Sequence, residues 1–196
     1  MTKFIALFYT MLTMLFIAVV SYSMQKSGET FSPPKYTIGV VLKAMDSEHW
    51  LSLRSGMSEA AQHNNMRLIV ITAENETAFA EQNKIISDLS DNGIDALIVS
   101  PTNINHTKEF VETASKKNIP VFSIDEEIPG ITYIGSNNYA VGEMAAAFIA
   151  KNLPEGAQVS VISGSANQNA HIQRTLSFVN YIEKNFFAKN WQNNGG

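Results

Sequence analysis

Three consecutive acids, Asp125, Glu126 and Glu127, close the apolar run IPVFSI and stand just before a Pro-Gly turn. Side chains of this type can act as an acid/base pair, hold a metal, accept hydrogen bonds from a neutral ligand, or simply face solvent. Neighbouring residues on an extended chain point to opposite faces, so Asp125 and Glu126 are badly placed to flank one scissile bond as a glycosidase pair must. A metal site needs further ligands. The four histidines, His49, His63, His106 and His171, show no HExxH spacing, and the chain has no Cys. Neither a GxxxxGK[ST] loop nor a GxGxxG turn follows the first apolar run, so the usual phosphate cradle is missing too. These patterns predict no enzyme, no cofactor and no metal, and leave a ligand grip or a solvated corner.

Other residues that could face a ligand also sit where apolar runs end. KAMDSEHW, from Lys43 to Trp50, offers Asp46 and Ser47 as helix caps, with His49 and Trp50 able to stack on a ligand. Trp50 falls equally well on the apolar stripe of the helix that follows. SPTN, Ser100 to Asn103, provides a strand stop and capping groups. In GSNNYAVG, Asn137 or Asn138 can cap the next helix and also face a cleft.

The elements that must position them alternate regularly. YTIGVVL precedes a helix with Trp50, Leu53, Met57, Ala60 and Ala61 on one face; RLIVIT precedes one with Ile85, Ile86 and Leu89; DALIVSP precedes one with Phe110, Val111 and Ala114. IPVFSID is a strand with little helix after it, and TYIGS leads into a helix expected to turn Val141, Met144, Ala145, Phe148 and Ile149 inward. QVSVISG is expected to open one further strand-helix pair ending near Asn185. Near-continuous apolar strands between amphipathic helices predict an α/β, doubly wound parallel sheet covered on both faces. Ligands of such sheets bind beyond the carboxyl ends of the strands.

With 14 Lys+Arg against 18 Asp+Glu and no basic run, the 196-residue chain is not built for nucleic acid. Lys3 and the uncharged stretch Phe4 to Val20 form an N-terminal hydrophobic helix that reads as an export signal. Residues 1–25 are thus a signal peptide cut near Ser21 to Ser23, or an anchor that associates with the membrane through residues 4–20. Residues 26–35 are a Pro-containing linker, 36–155 a first α/β lobe, and 156–196 an incomplete second lobe with a polar tail.

The succession GVVLKAMDSEHWLSLRSGMSEAAQ, LIVSPTN, IPVFSIDEEI, YIGSNNYAVGEMAA and NQNAHIQRTLSF, over Tyr36 to Tyr181, resembles the periplasmic sugar-binding proteins of the ribose/galactose type. Their ligand-binding fold is shared with LacI-type repressors, and an export segment here occupies the place of a helix-turn-helix. The resemblance implies two lobes that close on a monosaccharide. It implies that Asp125 accepts hydrogen bonds from two sugar hydroxyls and that Arg174 offers a planar donor fork. It also implies that Trp50 and His49 lie against the sugar ring and that Asn137 lines the cleft, while Glu126 and Glu127 cover a solvated corner. Implied partners are the permease of a sugar ABC transporter or, for an anchored form, a sensor kinase, in either case outside the cytoplasm. Family members continue well past this length, so the chain reads as truncated.

Overall fold

The computed structural model describes residues 2–26, 33–75, 77–154 and 157–187. Contacts divide the chain into two units, Met1–Pro33 and Pro34–Gly196. The first holds helix α1, Thr2–Lys26, whose apolar side chains from Tyr9 to Tyr22 are exposed. Among the described residues no helix is long and apolar enough to cross a membrane. The linker expected at 26–35 falls largely outside the described residues.

In the second unit, β1 (Tyr36–Leu42), α2 (Glu48–His63), β2 (Met66–Thr72), α3 (Phe79–Asp91) and β3 (Ala96–Val99) follow the expected alternation. A single 3-10 turn leads into α4 (Thr107–Lys116), then β4 (Val121–Ile124), β5 (Thr132–Ile134), α5 (Asn138–Asn152) and α6 (Asn169–Ile182). The five strands form one sheet in the order β2-β1-β3-β4-β5, every pair parallel. Parallel neighbours require crossover connections; helices supply them as far as β4, and residues 125–131 carry the chain from β4 to β5 without one.

The pleat explains why β1 is apolar at successive positions. Val41 goes to one face, where Ile86 and Leu89 of α3 and Phe110 and Ala114 of α4 close over it together with Leu97 and Val99. Val40 and Leu42 go to the other, against Trp50 of α2 and Ile124, with Leu53 and Met57 at the margin. Both faces are covered, so neither tolerates polar alternation.

Two expectations are corrected. The stripe Val141, Met144 and Phe148 does not point inward: these residues are 42%, 72% and 67% exposed. Helix α5 buries the opposite stripe, Asn138, Gly142 and Ala146, and packs on α6. The run QVSVISG forms no strand; residues 157–165 have no regular structure, and Ile162 is fully exposed. A β-strand exists by exchanging backbone hydrogen bonds with a neighbouring strand, and among the described residues this run pairs with none. Val161 and Ile162 therefore stay in water, as do Val141, Met144 and Phe148 of α5.

Candidate functional site

Strand β4 ends in a tight three-residue turn. Glu126 N–H donates to Ile124 O at 2.7 Å across Asp125, whose φ is +64°. Few residues enter this left-handed region without a Cβ penalty, but Asp is among those that do so most readily. The turn leaves the two side chains unequally covered. Asp125 keeps 29% of its side chain exposed, whereas the Glu126 side chain is 0% exposed.

Buried Glu126 is neutralised by Lys43, the residue that follows β1. The Lys43 ammonium is itself buried and lies 2.8 Å from Asp125 Oδ2, 2.9 Å from Glu126 Oε1 and 3.0 Å from Gln168 Oε1. It also sits 5.6 Å from the centroid of the Trp50 ring. The ammonium donates hydrogen bonds to Glu126 and Gln168, and its charge pairs with Asp125. The second Glu126 oxygen, Oε2, accepts the backbone N–H of Ala170 at 3.0 Å, in the first turn of α6. A carboxylate at a helix N-terminus satisfies an orphan donor and meets the positive end of the helix dipole. The strand ends and α6 are thus joined through one set of polar groups centred on the buried Lys43 and Glu126.

This corrects the expectation of a solvated corner at Glu126. Glu127 alone fits that description, taking only an exposed hydrogen bond from Gln173 Nε2 at 3.2 Å. Lys43 and Gln168 carry no role in the sequence reading. The available signal was positional: a Lys placed directly after a fully apolar strand stands at the rim where α/β ligands bind.

The other expected site residues are distributed as follows. Trp50 is 4% exposed, so its ring belongs to the core and presents itself to Lys43. His49 is exposed and packs edge-on against Trp50, 4.9 Å between centroids. It lines an apolar groove of about 620 Å³ with Leu53, Met57, Ile98, Ile124 and Ile134, which has few polar groups for a hydroxylated ligand. Asn137 caps α5 by accepting Ala140 N–H at 3.0 Å. Arg174 directs its Nε–H to Ala170 O, one turn earlier in α6, at 3.0 Å.

Tyr133 of β5 frames Asp125. Tyr133 donates to Ser136 O at 3.0 Å and to Asp125 O at 3.3 Å. Burial holds its hydroxyl above the usual tyrosine range, and the charges of Asp125, Glu126 and Glu127 push it further the same way, so it remains a donor through neutral pH. Buried Gln82 of α3 holds the loop after β3, giving Nε2–H to Ser100 O and taking Thr102 N–H on Oε1, both at 2.9 Å. Gln82→Leu strands that carbonyl and that amide and is expected to cost about 2 kcal/mol. Urea unfolding measures it; a loss below about 0.5 kcal/mol would show that the loop groups find other partners.

A family model described as a periplasmic binding protein domain matches residues 38–195. Among curated proteins, the ribose import binding protein RbsB of Bacillus subtilis is 31% identical over 162 residues, which make up 81% of this chain and 52% of that protein. The D-ribose/D-allose-binding protein of Pseudomonas aeruginosa is 24% identical over 158 residues, 75% of this chain and 50% of that one. Among solved structures, an ABC transporter periplasmic solute binding protein of Actinobacillus succinogenes with bound D-allose superposes with a TM-score of 0.71 at 22% identity, over 76% of this chain and 56% of that one. The periplasmic component of an ABC-type sugar transport system from Hahella chejuensis gives 0.72 at 24% identity, over 76% and 56%. These likenesses establish the fold. The chain spans about half the length of the curated relatives it matches.

Proposed function

The chain belongs to the periplasmic binding protein domain family, and from that premise we propose that it serves as an extracytoplasmic substrate-binding component for a monosaccharide, delivering it to the permease of a sugar ABC transporter. The observation that carries the reading is Asp125: a partly exposed carboxylate at the carboxyl end of β4, anchored through Oδ2 by Lys43, with Oδ1 engaged by none of the described residues. A carboxylate oxygen held in this way accepts hydroxyl donors and offers none, which suits a neutral polyhydroxylated ligand. Relatives described as ribose import and D-ribose/D-allose-binding proteins support the same ligand class. Residues 36–155 act as the first lobe in this reading, and 156–196 begin the second.

Calorimetric titration of the full chain with D-ribose and D-allose tests the proposal. Asp125→Asn is the informative variant, because Asn also tolerates the left-handed backbone and preserves side-chain shape. It is expected to weaken binding by tenfold or more, about 1.4 kcal/mol at least, through loss of a charge-assisted acceptor. Failure of the wild-type chain to bind either sugar, or equal affinity in Asp125→Asn, sinks the assignment.

A further inference from the structure

Both acids at the β4 end are bound by the same cation, and this has consequences for which ligands the site accepts. Resting on the reading above, we propose that Lys43 is a positioning and selectivity residue: it fixes Asp125 for neutral sugars and sets the site against ligands that carry an ammonium group. Three observations converge on it. Its ammonium is buried, donates to Glu126 and Gln168 at 2.9 and 3.0 Å and lies 2.8 Å from Asp125 Oδ2, so it is enclosed by oxygens of this chain. Glu126 has one oxygen on Lys43 and the other on Ala170 N–H, so the second acid is closed to a ligand as well. What faces outward is Asp125 with a single uncommitted oxygen.

Charge counting then decides the selectivity. Lys43, Asp125 and Glu126 sum to one negative charge; without Lys43 the same groups sum to two, with two carboxylate oxygens released. An ammonium-bearing sugar entering the wild-type site meets a lysine already in the position its own charge would favour. Without that lysine, the buried carboxylates need a replacement cation, because unpaired charges in such surroundings are strongly destabilised. Neutral sugars respond in the opposite sense: Asp125 loses the contact that orients it, and their binding weakens.

The test uses D-ribose and D-allose, each beside its 2-amino-2-deoxy counterpart, titrated into the full chain and into Lys43→Met and Lys43→Arg, with circular dichroism and thermal melts checking the fold. Lys43→Met is expected to lower affinity for the neutral sugar tenfold or more and to raise the ratio of amino to neutral binding by at least tenfold. Lys43→Arg keeps the cation and is expected to hold that ratio near the wild-type value. A purely structural lysine would weaken both ligands together and leave the ratio unmoved. A folded Lys43→Met variant with unchanged ratio overturns the inference and leaves sugar binding by Asp125 intact. The wild-type chain provides a check that needs no variant: tenfold tighter binding of the amino sugar than of its neutral counterpart also overturns it. Should wild type bind none of the neutral sugars, the function itself fails and the role of Lys43 falls with it.

Discussion

Glu126→Ala is expected to lower the unfolding free energy by about 3 to 5 kcal/mol, the range for removing one partner of a buried ion pair. The side chain is 0% exposed and uses both oxygens. Truncating it leaves the Lys43 ammonium hydrogen-bonded to Gln168 alone, beside Asp125, and strands the Ala170 N–H at the start of α6. Asp125 still neutralises Lys43, which places the loss toward the lower end of that range. The paired variant Lys43→Met/Glu126→Leu separates the penalty from the net value of the interaction, because replacing a whole buried pair with apolar groups of similar volume is often neutral or better. It is expected to be more stable than Glu126→Ala alone. Urea unfolding of the wild-type chain, Glu126→Ala and the paired variant makes the comparison. A single variant within about 1 kcal/mol of wild type would mean that water reaches the cluster and that the link between the strand ends and α6 is loose.

The sheet was legible because its signal is redundant. Each strand is apolar at consecutive positions, each helix carries its own stripe, and the crossovers between them have only one handed way to close. The helices α2, α3 and α4 bury Trp50, Ile86, Leu89, Phe110 and Ala114 as their periodicity indicates. Asp125 was legible as a residue at the carboxyl end of β4, since strand ends are read directly from where apolar runs stop. Glu126 was not, because its environment is set by residues 83 and 44 positions away in sequence, Lys43 and Ala170. Local alternation assigns it to solvent, and only the turn at Asp125 sends it inward. Trp50 was open between stacking and core, and its ring is found buried in the cluster with Val40, Leu42 and Ile124. Helix α5 failed for a different reason. Its strongest apolar stripe is the exposed one, and the stripe it buries is made of Asn138, Gly142 and Ala146, which hydrophobic periodicity does not register. Small residues signal a close helix contact only when the partner helix is known.

That contact yields the second large effect. Gly142→Val is expected to destabilise the α5–α6 pairing by about 3 kcal/mol, at the upper end of the usual overpacking range. A Cβ at position 142 would lie 2.2 Å from Arg174 O and 2.0 Å from Ser177 Oγ. The serine can rotate, but the carbonyl belongs to the backbone of α6 and moves only if the whole helix does. Gly142→Ala tests the reasoning by its sign. Helix propensity alone predicts that it stabilises α5 by about 1 kcal/mol, because Gly is costly in a helix interior. The packing predicts a loss, since even a methyl group collides with that carbonyl. Denaturant unfolding of the two variants decides between the contributions, and a stabilised Gly142→Ala would rule out the close α5–α6 approach. If both variants lose stability while the core around Phe110 unfolds at its usual midpoint, α5 and α6 form a separable unit of lower local stability. The Lys43–Glu126–Ala170 contacts would then be what fastens that unit to the sheet, and Gly142→Val would weaken sugar binding without touching Asp125.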